Sequence, residues 1–157
     1  IEASVIIKEN ISDFHLVFVG AGPEAYRVKE ASETYDWIHY VGSKFGAERV
    51  PYFKMSELFL MPGLVGLAVL DTFATETPMI TTDFPYHSPE IEYLENGKNG
   101  VITVNNINDY SKQIIYLFKN KDKIAGLKEG CLNSSALYST ENMVVNFTNG
   151  ILKCLKH

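Results

Sequence analysis

Two glycines and one acid at close spacing are the residues of this chain best suited to hold an anionic ligand: Gly63 and Gly66 in "PGLVG", and Asp71 in the following "LAVLDTFAT". The apolar run predicts a helix from about Val65 to Thr75. The first N–H groups of a helix have no partner inside it and carry partial positive charge. Glycine beside them lets a bulky phosphate approach the backbone. Asp71 falls on one stripe with Leu67 and Ala74, and the face bearing Leu67, Leu70 and Ala74 is expected to pack on the sheet. A carboxylate there needs a partner, because an unpaired buried charge is costly. Asp71 is therefore expected to bond a neighbouring loop, to be hydrated, or to accept hydrogen bonds from a ligand, for which the paired hydroxyls of a ribose are suited.

Other chemistry is less well marked. "GAGP", with Gly20 and Gly22, follows an apolar run, but Ala25 stands where the dinucleotide fingerprint has its third glycine, and no acid ends the next strand. A tight strand-to-helix turn explains it better. His15 and His39 lie in or beside strands and read as packing residues. His87, in "FPYHSPE", reads as a loop residue or a ligand contact. No Ser-His-Asp, Cys-His or metal-ligating spacing is present in the sequence, so neither nucleophilic catalysis nor a metal centre is expected.

These residues need a scaffold, and 157 residues are enough for one domain without disulfides. The composition, 46% hydrophobic and 21% charged, is that of an ordinary globular chain. A net charge of −5 with scattered Lys and Arg argues against a nucleic-acid surface, which needs clustered cations. Two widely separated cysteines, Cys131 and Cys154, fit a reducing compartment. No apolar run reaches the roughly 18 residues of a membrane helix. The chain opens at Ile1 in mid-pattern without a methionine and reads as a piece of a longer protein, all of it (1–157) one domain.

Apolar spacing predicts a helix tail at the start, then strands at 14–20, 37–42, 57–63, 78–83 and 100–104. Helices are expected at 24–33, 47–56, 65–75, from Ser88 (as a side-chain cap) toward 97, from Asn108 (as a cap) through Phe118, at 121–137 and at 141–156. The last carries Val144, Phe147, Ile151 and Leu155 on one stripe. Strands that are apolar almost throughout and alternate with helices predict an α/β fold with a doubly wound parallel sheet, its ligand beyond the carboxyl ends of the strands. That edge gathers Gly20 and Gly22, Gly42, and Gly63 to Gly66. A preceding strand, central in such a sheet by its place in the order, is expected upstream of Ile1.

Residues 58–104, "LFLMPGLVGLAVLDTFATETPMITTD…SPEIEYLENGKNGVITV", resemble the carboxyl-terminal, donor-binding half of retaining GT-B glycosyltransferases, especially those that build bacterial capsule or lipopolysaccharide. The likeness extends from "FHLVFVGAGP" to the final helix. It implies a Rossmann-like domain that binds a UDP- or GDP-sugar and transfers the sugar, with retained anomeric configuration, to a growing cell-surface glycan or lipid-linked acceptor. By position, Gly63, Leu64, Val65, Gly66 and Leu67 form the donor-binding turn, with the Gly66 and Leu67 amides on the diphosphate and Asp71 on the ribose. Gly20 and Gly22 line the nucleotide cleft, with Gly42 and Lys44 near the base. Gly63 stands where the family has an acid that contacts the donor sugar, Asp71 replaces the usual glutamate, and Glu76 replaces a helix-ending glycine.

The resemblance implies no metal or cofactor besides the donor, and no catalytic residue within this stretch. The acceptor-binding residues and the basic pair for the diphosphate belong to segments upstream, so the isolated chain is expected not to turn over. The final helix resembles one that braces the other domain. A cytoplasmic location follows, including peripheral association with the inner face of the membrane. The missing acid at Gly63 also fits a degenerate transferase or a binding subunit without activity; a nicotinamide-dependent oxidoreductase fits less well.

Overall fold

The computed structural model describes residues 1–155. Short apolar segments form five strands: β1 (Leu16–Phe18), β2 (Ile38–Tyr40), β3 (Phe59–Leu60), β4 (Met79–Thr82) and β5 (Gly100–Thr103). Between and after them lie α1 (Glu2–Asn10), α2 (Ala25–Thr34), α3 (Val50–Met55), α4 (Ala68–Thr75), α5 (Ile107–Lys119), α6 (Lys121–Leu137) and α7 (Thr140–Cys154). Every strand pairing is parallel, as crossover helices require.

The strands form two blocks, β1–β2 and β3–β4–β5, rather than one continuous sheet. A shared core joins the blocks: Ile7 of α1, Ile38 of β2, Ile80 of β4, Val101 of β5 and Ile114 of α5 belong to one buried cluster. Tyr110 fixes α5 on β4 by donating its hydroxyl to the Ile80 carbonyl at 3.0 Å, and burial raises the pKa of that hydroxyl. A second cluster, Val65, Val69, Phe73, Met79, Leu94 and Cys131, lies under α4 and α6.

The strands are shorter than the apolar runs that predict them. β1 stops at Phe18, and beyond it Gly20 donates its amide to the Gly42 carbonyl at 2.9 Å, tying the carboxyl ends of β1 and β2 together. Both glycines have positive φ, of 137° and 68°, which side-chain-bearing residues adopt at a cost. The segment 46–55 divides into a 3-10 turn, Gly46–Arg49, and α3. The helix expected from Ser88 is a 3-10 turn, Pro89–Tyr93, and Ser88 makes no side-chain cap. Asn106, not Asn108, caps α5, its side chain accepting from the Asp109 amide at 2.8 Å. α6 spans the predicted residues. Of the last helix, predicted to 156, residue 156 lies outside the described residues.

Glu76 ends α4 in the left-handed conformation, φ 55° and ψ 39°. That conformation brings Cβ close to the carbonyl oxygen, a strain absent in glycine. Glu76→Gly is therefore expected to stabilise the protein by about 1 kcal/mol, the relief of strain outweighing the extra flexibility of the unfolded chain. Urea denaturation checks this, with an increase in midpoint as the expected result.

Candidate functional site

The turn from Pro62 to Leu67 connects β3 to α4 and is held by the loop that leaves β4. Val65 donates its amide to His87 Nδ1 at 3.0 Å, and its carbonyl accepts from the Ser88 amide at 2.9 Å. His87 Nε2 lies 2.8 Å from the Thr82 carbonyl. A carbonyl can only accept and an amide can only donate, so the imidazole is held as the tautomer protonated at Nε2. His87 is thus a structural loop residue that clamps the turn, one of the two roles the sequence allowed.

This clamp shifts the start of α4. Val65 is fully buried, its hydrogen bonds committed to the neighbouring loop, so the helix begins at Ala68 rather than Val65. The left-handed residue of the turn is Leu64, with φ 54°, although glycines flank it. Leu64 and Leu67 both point to solvent. The Gly66 and Leu67 amides take no hydrogen-bond partner among the described residues, while the Val69 amide is turned back to the Gly66 carbonyl at 3.2 Å. A Cβ on Gly66 would meet only Ser88 Oγ at 3.8 Å, so the approach to these amides is open. On Gly63 a Cβ would lie 3.3 Å from the Phe84 ring, which fills the space beside the turn.

The buried face of α4 carries Val69, Thr72 and Phe73, not Leu67, Leu70 and Ala74. Leu67 and Ala74 are exposed and Leu70 is only partly buried. The reason is geometric: Val69 and Phe73 are one turn apart and continue the buried position of Val65, while the Thr72 hydroxyl folds back onto the Val69 carbonyl. Asp71 consequently lies at the surface edge. Its Oδ2 is 3.1 Å from Arg49 Nη1, with the two side chains 38% and 42% exposed respectively. The loop partner anticipated for this acid is therefore Arg49, at the end of the 3-10 turn before α3. Nothing in the sequence pattern singles out Arg49, because 22 residues separate it from Asp71 with no periodic relation.

The structure brings the predicted residues together in two groups. Gly63 to Leu67 and Asp71 share the β3–α4 corner with Phe84, His87 and Ser88; Gly20 and Gly42 meet at the ends of β1 and β2. Gly22 lies in the loop before α2, exposed, with its carbonyl accepting from the Ala25 amide at 3.0 Å. Lys44 is partly buried without an ion pair among the described residues. His15 and His39 are not packing residues. Both are exposed, stacked at 5.2 Å and joined by an Nδ1···Nε2 contact of 2.9 Å across β1 and β2.

Two shallow grooves lie elsewhere, one along β5 and α5 at Thr103 and Lys112, the other between Lys98 and α6. Neither contains a predicted residue. Among the described residues no three His, Cys, Asp or Glu side chains cluster as metal ligands. Cys131 is fully buried, its thiol donating to the Asn99 carbonyl at 3.1 Å, and burial pushes its pKa up to about 12, so it stays protonated and unreactive.

Residues 1–120 match a family model described as glycosyl transferases group 1. Among solved structures, the chain is similar to the pneumococcal O-GlcNAc transferase GtfA in complex with UDP and GlcNAc, at 17% identity over 99% of this chain and 33% of that one, with a TM-score of 0.78. It is similar to sucrose-phosphate synthase from Thermosynechococcus elongatus, at 16% identity over 99% and 42%, with a TM-score of 0.76. The apo lipopolysaccharide outer core galactosyltransferase WaaB matches at 14% identity over 96% and 44%, with a TM-score of 0.72. The chain thus spans less than half the length of each of these structures, and the likeness identifies its fold as the Rossmann-like half of a GT-B architecture. No curated protein sequence matches the chain.

Proposed function

The chain belongs to the glycosyl transferases group 1 family, and we propose that it binds the nucleoside-diphosphate sugar from which a larger enzyme transfers a sugar, with retention, to a cell-surface glycan. The observation that carries this reading is the β3–α4 corner: the unpartnered Gly66 and Leu67 amides at the start of α4, with the Asp71 carboxylate at the surface edge of the same helix. The amides and the helix dipole suit the charge that grows on a leaving diphosphate. The carboxylate suits a ribose diol. GtfA, whose structure holds UDP and GlcNAc, supports a UDP-sugar as donor, and a GDP-sugar has the same diphosphate and ribose. WaaB, a lipopolysaccharide galactosyltransferase, supports the cell-surface glycan.

Gly20, Gly22, Gly42 and Lys44 line the nucleotide side of the cleft in this proposal, and no metal or prosthetic group is assigned. An upstream strand pairs with the edges of β1 and β3 that have no strand partner among the described residues, joining the two blocks. The acceptor binds to a preceding domain, and closure of the two domains excludes water from the donor. α7 packs against that domain: none of its residues is buried among the described residues, and Met143, Phe147 and Ile151 stand exposed. No described helix is long and apolar enough to cross a membrane. The full protein acts in the cytoplasm, with peripheral contact to the membrane where a lipid-linked acceptor lies.

Binding without transfer is a second reading, favoured by the Phe84 ring that occupies the space beside Gly63. Hydrogen exchange on the full-length protein tests the shared part of both. Saturating UDP or GDP is expected to slow exchange of the amides at 64–68 at least several-fold. Unchanged exchange there, with either nucleotide bound, would place the diphosphate elsewhere. Release of sugar from the donor onto an acceptor then separates transfer from binding alone.

A further inference from the structure

We propose that His87 is a positioning residue for the donor: by accepting the Val65 amide on Nδ1, it holds the turn in which the Gly66 and Leu67 amides stay free for the diphosphate. The inference rests on the donor-binding reading above and gives His87 no contact with the ligand. Both ring nitrogens are already in use, Nδ1 at 3.0 Å from the Val65 amide and Nε2 at 2.8 Å from the Thr82 carbonyl. Neither is left to move a proton or to bind a phosphate.

The turn needs such a hold because it is strained. Leu64 has φ 54°, a left-handed conformation that a residue with a Cβ adopts at a cost. Its side chain is 70% exposed, so packing of that side chain does not offset the cost. A backbone of this kind persists only where its surroundings over-determine it. Three hydrogen bonds around the next residue do so. Val65 donates to His87, the Val65 carbonyl accepts the Ser88 amide at 2.9 Å, and the far nitrogen of His87 is fixed on the Thr82 carbonyl of β4. The Phe84 ring braces the same corner, edge-on to the imidazole at 5.9 Å and 80°, and it borders Gly63, where an added Cβ would lie 3.3 Å away.

Removing the acceptor changes the path of the chain. Val65 is fully buried, so its amide, once unpaired, carries the full desolvation cost of a buried donor. The chain lowers that cost by turning the amide toward another acceptor. Gly66 and Leu67 follow directly, and their amides, which have no partner among the described residues, turn with it. Hydrogen bonds weaken steeply as they bend, so a phosphate that meets both amides in the held turn loses at least one of them in the released turn. His87 thus acts on the diphosphate through the backbone.

The test is calorimetry on the full-length protein with UDP and GDP, beside hydrogen exchange at Val65. In His87→Asn the side-chain oxygen takes the place of Nδ1 and accepts the Val65 amide. In His87→Gln the terminal amide takes the place of Nε2 and donates to Thr82, leaving Val65 without an acceptor. His87→Gln is expected to exchange the Val65 amide faster and to bind nucleoside diphosphate about tenfold more weakly, the effect of losing one hydrogen bond to a charged group. His87→Asn is expected to keep the Val65 protection and to recover most of the affinity. A merely structural role predicts equal losses, since each variant gives up one of the two ring hydrogen bonds. Equal losses would therefore overturn the proposal, as would a His87→Gln affinity that matches the parent. Leu64→Val probes the same turn at an exposed position without touching His87. A β-branched residue disfavours positive φ more strongly than leucine, and weaker nucleotide binding is the expected result. Should neither His87 variant fold, unchanged binding in Leu64→Val overturns the proposal on its own. If the unsubstituted protein binds neither UDP nor GDP, the donor-binding reading itself falls, a result distinct from any pattern among the variants.

Discussion

Gly130→Ala is expected to cost more than about 3 kcal/mol of stability, enough to leave much of the protein unfolded. By helix propensity alone the change should help, since alanine exceeds glycine by about 1 kcal/mol inside a helix. Space reverses the sign. A Cβ at Gly130 would lie 1.8 Å from the Lys98 carbonyl oxygen, 2.6 Å from its carbon and 3.2 Å from Asn99 Cα. All three are backbone atoms, so no flexible side chain can move aside.

The loop cannot retreat either. Asn99 is fully buried; its side chain accepts from the Glu95 amide at 2.7 Å and donates to the Tyr93 carbonyl at 3.0 Å and to Ser134 Oγ at 2.9 Å. Pushing α6 away would break the Ser134 bond and the Cys131 bond to the Asn99 carbonyl, leaving buried polar groups unpaired. Gly126, one turn earlier on α6, has open space where its Cβ would go. Gly126→Ala is therefore the internal control, expected to be neutral or stabilising by up to about 1 kcal/mol. Chemical denaturation of the two variants decides the matter, and equal effects at both positions would show that α6 does not rest on the 98–99 loop as described.

The second large effect falls on ligand affinity. Asp71→Ala is expected to weaken nucleoside-diphosphate binding by about 1.5 to 3 kcal/mol, a factor of roughly 10 to 100, because it removes a charged acceptor from the ribose hydroxyls. Folding should change little, since the residue is partly exposed and its only described partner is Arg49 across a surface pair. Asp71→Asn keeps the shape and one acceptor oxygen while removing the charge, so it should lie between the two. Affinity that is lost only together with stability would assign Asp71 to folding rather than to the donor.

The parts of the fold set by local periodicity were readable from the sequence. α6 covers the residues its pattern predicts, and the buried Tyr110, Ile114 and Leu117 of α5 keep the predicted spacing. The parallel pairing followed from strands that are apolar almost throughout and separated by helices. What was not readable depends on partners distant in sequence. The start of α4 is displaced because His87 takes the amide of Val65, 22 residues before it. The sheet-facing stripe of α4 was misplaced for a different reason: alanine, valine, leucine and phenylalanine occur all round this helix, so periodicity does not distinguish its faces.

Asp71 shows a second failure of the helix pattern. The stripe it shares with Leu67 and Ala74 faces solvent, so the expected cost of burying its charge does not arise. Its partner Arg49 was not readable either, because only the folded chain brings the turn after β2 against α4. The place of His15 and His39 in or beside strands suggests packing, yet parallel pairing sets them together at the exposed face of the β1–β2 block. Glu76 is the opposite case: it stands where the resemblance puts a helix-ending glycine, and α4 does end there in the left-handed conformation.

Isothermal titration of the full-length protein with UDP and GDP tests the donor site most directly. Saturable one-to-one binding of at least one of them is the expected result, weakened at least tenfold in Asp71→Ala while the variant melts as the parent does. The absence of saturable binding by either nucleotide, or binding that Asp71→Ala leaves unchanged, would contradict the assignment of the β3–α4 corner to a nucleoside diphosphate.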